Sequence, residues 1–100
     1  NLKKLKILDV SFNLIKRLNA NTFKYLNSSN LTELYLNNNY ISYLNSNVFL
    51  HLNNLRYLSL ERNEIKEITI YHFGLLEKLH YLNLNYNNYK NIHVLDYNYN

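Results

Sequence analysis

Three sets of side chains in this 100-residue chain could carry chemistry. The first is His51, His72, His80 and His93 together with Glu61, Glu64 and Glu67, the material of acid–base or metal work. The histidines lack the close pairing that a metal site requires, and the glutamates, although three apart, straddle Asn63, which the pattern described below marks as a turn. No cysteine is present to act as a nucleophile, and a single glycine rules out a glycine-rich phosphate loop. Catalysis is disfavoured on these grounds, and the residues call for neither a cofactor nor a metal. The second set is basic: Lys3, Lys4, Lys6, Lys16 and Arg17 crowd the start of a chain with net charge +4. The third is tyrosine, 11 residues, with arginine beside it. These two types bring large contact area and a polar handle at low entropic cost, which is the chemistry of binding.

What must position these side chains is a repeat. LRYLSLERN, from Leu55 to Asn63, recurs as LKILDVSFN (Leu5 to Asn13), LTELYLNNN (Leu31 to Asn39) and LHYLNLNYN (Leu79 to Asn87). The anchors Asn13, Asn39, Asn63 and Asn87 are separated by 26, 24 and 24 residues. Two residues after each stands Ile15, Ile41, Ile65 or Tyr89, and three further on Leu18, Leu44, Ile68 or Ile92. An aromatic follows at Phe23, Phe49, Phe73 and Tyr97, then Leu26, Leu52 and Leu76. The chain therefore reads as one array over 1–100, with repeats at about 5–30, 31–54, 55–78 and 79–100.

This pattern resembles the leucine-rich repeats, in the 24-residue class with a phenylalanine in its convex half. Toll-like receptors, secreted insect immune proteins and small proteoglycans carry that class. The resemblance implies an α/β solenoid: a horseshoe segment with a short-stranded parallel sheet on the concave face and loops or 3-10 turns on the convex one. It also implies a recognition module for a protein or glycoconjugate in an extracellular receptor or secreted immune-type protein. A spacer role within a longer array is the alternative.

Alternation within YLSL puts Leu58 and Leu60 on one face and Tyr57, Ser59 and Glu61 on the other, the signature of a short strand. Stacked copies then form inward columns, Leu34 with Leu58 and Leu82, and Leu36 with Leu60 and Leu84. Asn13, Asn39, Asn63 and Asn87 form a structural ladder, their amides bonding backbone groups at the bend in their own and the neighbouring repeat. The return half is too short for a proper helix, and no repeat can bury its apolar set alone.

Function is expected on the outward columns. These are Ile7, Glu33, Tyr57 and Tyr81; then Asp9, Tyr35, Ser59 and Asn83; then Ser11, Asn37, Glu61 and Asn85; and, at the strand exit, Phe12, Asn38, Arg62 and Tyr86. The partner-binding candidates are Tyr35, Tyr57 and Tyr81 with Glu33, Ser59, Asn83, Glu61, Arg62 and Tyr86. A nucleic-acid partner is disfavoured because Asp9, Glu33, Glu61 and Arg62 mix signs where a phosphate stripe should be uniformly basic.

At 47% hydrophobic and 18% charged residues the chain is apolar enough to fold and too weakly charged to read as disordered. Its excess of Asn, Tyr, Lys and Ile reads as an AT-rich coding bias. No run of 18 apolar residues occurs, so this segment is expected to make no membrane contact. Leu2 reads as the tail of an earlier repeat, and neither end carries an atypical capping unit, so the array reads as a fragment uncapped at both ends. Whether the parent protein dimerises is left open. Between Leu26 and Leu31 the first repeat has four residues where the others have two, and this insertion holds acceptor patterns for glycans at Asn27 and Asn30.

Overall fold

The computed structural model describes residues 4–26, 30–74 and 76–88. Leu2, Asn27, Tyr89, Ile92, His93 and Tyr97 lie outside the described residues.

Each Leu-x-x-Leu-x-Leu stretch, with Val10 in the last position of the first copy, forms one three-residue strand: β1 (Ile7–Asp9), β3 (Glu33–Tyr35), β5 (Tyr57–Ser59) and β6 (Tyr81–Asn83). They pair in parallel in the order β1-β3-β5-β6. The register matches Ile7 to Glu33, Glu33 to Tyr57 and Tyr57 to Tyr81, so the repeat columns of the sequence are the lateral neighbours of the sheet. The longer first repeat leaves this register intact, because its extra residues fall between strands, where loop length is thermodynamically cheap.

Beneath the sheet lies the core. Leu34, Leu36, Leu55, Leu58, Leu60, Ile41 and Ile65 are fully buried. Phe23, Phe49 and Phe73 stack behind them, with ring centroids 6.1 and 5.8 Å apart. Val48, which the repeat columns had not singled out, is also fully buried. Each such side chain contributes about 1.5–3 kcal/mol by leaving water. Leu5, Leu8, Val10, Ile15, Leu82 and Leu84, in the outer repeats, are only partly buried. That gradient is what a solenoid gives, since each repeat is covered by its sequence neighbours alone.

The return half contains 3-10 turns at Lys24–Leu26 and Ile70–His72, and no α-helix occurs among the described residues. It also contains a second parallel pair, β2 (Arg17–Leu18) with β4 (Tyr43–Leu44), where only loops and turns were expected. The carbonyls of Lys16 and Leu18 accept the amides of Ser42 and Asn45, both at 3.0 Å. In the next repeat this ladder is interrupted by a side chain. His72 Nε2 donates to the Leu44 carbonyl at 2.8 Å, and Nδ1 accepts from the Thr69 amide at 3.1 Å. The imidazole thus stands where a direct amide-to-carbonyl bond joins the two preceding repeats.

Candidate functional site

The outward face of the four-stranded sheet gathers three tyrosines. Tyr57 and Tyr81, paired across β5 and β6, stack at 4.7 Å with 6° between their planes. Tyr35 sits diagonally from Tyr57, its ring 5.1 Å away and tilted by 38°. Tyr81 is half exposed, while Tyr35 and Tyr57 are partly covered by the row they form. Tyr35 Oη donates to Glu33 Oε1 at 2.6 Å. That bond, with burial and the charges of Glu33 and Asp9, pushes the Tyr35 phenol up to about 12, and burial followed by Tyr81, Glu61 and Glu33 pushes Tyr57 up as well. Tyr35 and Tyr57 therefore stay protonated in an aromatic row set among carboxylates.

Apart from Tyr35, the second outward column serves the backbone. Asp9 Oδ1 accepts the Ser11 amide at 2.9 Å and the Ser11 hydroxyl, which together hold the Asp9 carboxyl below its usual range. Asn83 Oδ1 accepts the Asn85 amide at 3.0 Å, and Ser59 Oγ lies 3.5 Å from the Glu61 amide. These are side-chain turns that finish the strand. Ser59, expected as a contact residue, is only 3% exposed. Its short side chain is flanked by Tyr35 and Asn83 in register, and the larger neighbours close over it.

At the strand exits Phe12, Asn38, Arg62 and Tyr86 all have positive φ, from 56° to 59°. The bend that precedes each anchor asparagine needs a left-handed residue, and in this chain no glycine supplies it. Arg62 lies over the Tyr86 ring, 4.2 Å from its centroid, a cation–aromatic pair that spans two neighbouring strand exits. Behind the exits the asparagines repeat one pattern. Asn63 Nδ2 donates at 3.0 Å to Leu36 in the preceding repeat and to Leu60 in its own, while Oδ1 accepts the Ile41 amide at 3.0 Å. Asn39 and Asn87 do likewise toward Val10 and Leu60. Asn13 bonds Val10 and Ser11, within its own repeat.

The remaining sequence candidates disperse. Among the described residues no three of His, Cys, Asp and Glu come together to hold a metal. His72 is the bridge described above, and His80 Nδ1 donates to the Lys78 carbonyl at 2.5 Å. Asn30 is exposed, as a glycan acceptor needs to be. The basic crowd of the first repeat splits: Lys6 precedes β1, whereas Arg17 lies in β2 with its guanidinium 4.4 Å from the Tyr43 ring centre. No helix among the described residues is long and apolar enough to cross a membrane.

A family model described as leucine rich repeat matches residues 29–89. Among solved structures, a TLR13–ssRNA13 complex is 38% identical over 82% of the chain with a TM-score of 0.75. The Toll–Spatzle complex of Drosophila, in its glycosylated form, is 27% identical over 85% with a TM-score of 0.75. The APL1 leucine-rich repeat domain is 28% identical over 87% with a TM-score of 0.78. The chain spans 11%, 13% and 22% of those three chains. No curated protein matches it.

Proposed function

Because the chain belongs to the leucine-rich repeat family, we propose that it is a recognition module whose concave sheet takes a protein partner across Tyr35, Tyr57, Tyr81, Arg62 and Tyr86. The observation that carries this reading is the ordered tyrosine row. Two rings stacked at 4.7 Å, with a third bonded to Glu33, have already lost the freedom that binding would otherwise take from them. Asp9, Glu33 and Glu61 around the row suit a partner that offers lysine or arginine. The same acids oppose a nucleic-acid strand on this face, although the TLR13 relative is solved with ssRNA13. Toll, solved with Spatzle and glycosylated, supports a protein partner and an extracellular setting, secreted or in a membrane protein's ectodomain. In this reading the segment belongs to an immune-type receptor or secreted factor, and it performs no catalysis.

The test is capture from a pooled array of extracellular proteins and glycans by the full chain, by a Tyr35→Ala/Tyr57→Ala/Tyr81→Ala variant, and by the matching triple Phe variant. Phe keeps the stack and removes only hydroxyls, so it separates recognition from folding. Binding lost in the Ala variant while circular dichroism is unchanged supports the concave site. Binding that survives the Ala change overturns it, and leaves these repeats as a spacer or a reader from the convex side.

A further inference from the structure

A second surface lies at the edge where the strands enter, and its chemistry differs from that of the tyrosine row. The Lys6 carbonyl accepts the amides of Thr32 and Glu33 at 2.9 and 3.2 Å. Thr32 in turn accepts from Arg56 and Tyr57 at 2.8 and 2.9 Å, and Arg56 from His80 and Tyr81 at 2.9 and 3.0 Å. This ladder holds Lys6, Thr32 and Arg56 at strand spacing, so the main chains that carry the two basic side chains run about 10 Å apart with Thr32 between them, its hydroxyl donating to the Lys6 carbonyl at 3.3 Å. Two residues upstream runs the parallel column Asn30, Asn54 and Lys78, in which Lys78 Nζ donates to Asn54 Oδ1 at 2.9 Å.

These six residues line one open cleft of about 380 Å³. Three are cationic and the other three carry an amide or a hydroxyl; neither a carboxylate nor an aromatic ring is among them. The Glu33 carboxylate, next in sequence to Thr32, is engaged by Tyr35 on the concave face. Glu77 lines the adjoining depression, which shares Asn54 and Lys78.

We propose that this cleft binds an anionic saccharide, its sulfate or carboxylate groups on Lys6, Arg56 and Lys78 and its hydroxyls on Asn30, Thr32 and Asn54. The composition argues for this class. A single-stranded nucleic acid is held by aromatic platforms as well as charge, and the cleft has none. An apolar peptide would need an apolar lining, which is also missing. The acceptor pattern Asn30-Leu31-Thr32 opens on the same cleft, so a glycan attached at Asn30 would compete with a bound saccharide.

Calorimetric titration of the unglycosylated chain with a heparin-derived tetrasaccharide tests the proposal, with a single-stranded oligonucleotide of equal charge run alongside. The variant is Lys6→Gln/Arg56→Gln/Lys78→Gln, and the control, Lys16→Gln/Lys24→Gln/Lys66→Gln, removes the same charge from exposed positions elsewhere. All three cleft side chains are exposed and the ladder is backbone, so an unchanged urea midpoint is expected; Arg56→Lys, which keeps the charge, provides a second check. The expected result is saccharide binding tighter than oligonucleotide binding, weakened at least about tenfold in the cleft variant and less than about twofold in the control and in Arg56→Lys. Absence of saccharide binding, equal losses in both triple variants, or an oligonucleotide bound as tightly as the saccharide would each overturn it.

Discussion

Asn63 Nδ2 lies 3.0 Å from the carbonyl oxygen of Leu36, 27 residues earlier in the chain, and this bond ties one repeat to the next through a buried amide. The same side chain serves Leu60 and Ile41, so its loss leaves several main-chain groups without a partner at a position only 7% exposed. Asn63→Ala is expected to cost about 2–4 kcal/mol, more than removal of a surface hydrogen bond. Asn13→Ala should cost less than about 1 kcal/mol, because Asn13 is exposed and its amide bonds lie within its own repeat. Urea unfolding of the two variants checks the order, and equal costs would mean that the bonds between repeats add nothing to those within them.

Phe12 is a bulky residue held at φ 56° with most of its side chain in solvent. A left-handed backbone costs an ordinary residue roughly 1–2 kcal/mol, and asparagine tolerates it better, as Asn38 shows at the equivalent exit. Phe12→Asn keeps the amide that donates to the Asn37 carbonyl at 3.1 Å and should stabilise the chain by about 0.5–1 kcal/mol. Arg62→Asn relieves the same strain but discards the contact with Tyr86, so its gain should be smaller. Thermal midpoints measured side by side decide the matter, and a destabilised Phe12→Asn would show that the exposed ring contributes packing.

His72 joins two repeats through its ring, from the Thr69 amide to the Leu44 carbonyl. His72→Ala should cost about 1–3 kcal/mol and speed amide exchange at Thr69, whose N–H loses its acceptor. His51→Ala is the control. If both substitutions cost the same, the bridge is incidental to stability.

The strands and their register were legible because burial acts on a period of two. Leu58 and Leu60 had to face one way, and the neighbouring repeat fixes the pairing. The anchor asparagines were legible for a similar reason, since a short amide at a sharp bend has few other uses. Ser59 was not, because its exposure depends on the sizes of Tyr35 and Asn83 across the sheet and not on its own position in the alternation. The β2–β4 pair was missed because main-chain bonding by Lys16 and Leu18 leaves no trace in side-chain pattern. Lys6, Arg56 and Lys78 come from two non-adjacent repeats and two different columns, with Arg56 and Lys78 at opposite ends of theirs, so only the folded stack brings them to one cleft.

The Tyr35 phenol offers the last test, through pH. Its bond to Glu33, then burial, then nearby negative charge raise it from 10.0 to about 12. The folded chain therefore holds this proton more tightly than the unfolded chain does. The resulting stability is present in full below pH 10 and is lost as pH rises toward and through 12. Tyr57, raised in the same direction, acts in the same sense above the ordinary phenol range. The urea midpoint of the wild type should thus fall more steeply between pH 10 and 12 than that of Tyr35→Phe, which has no phenol to ionise there. Glu33→Gln, by removing the carboxylate, should bring the tyrosinate absorbance of Tyr35 in at lower pH. Identical pH profiles for wild type and Tyr35→Phe would show that the Glu33 bond does not hold the ring in solution, and that the order ascribed to the tyrosine row rests on stacking alone.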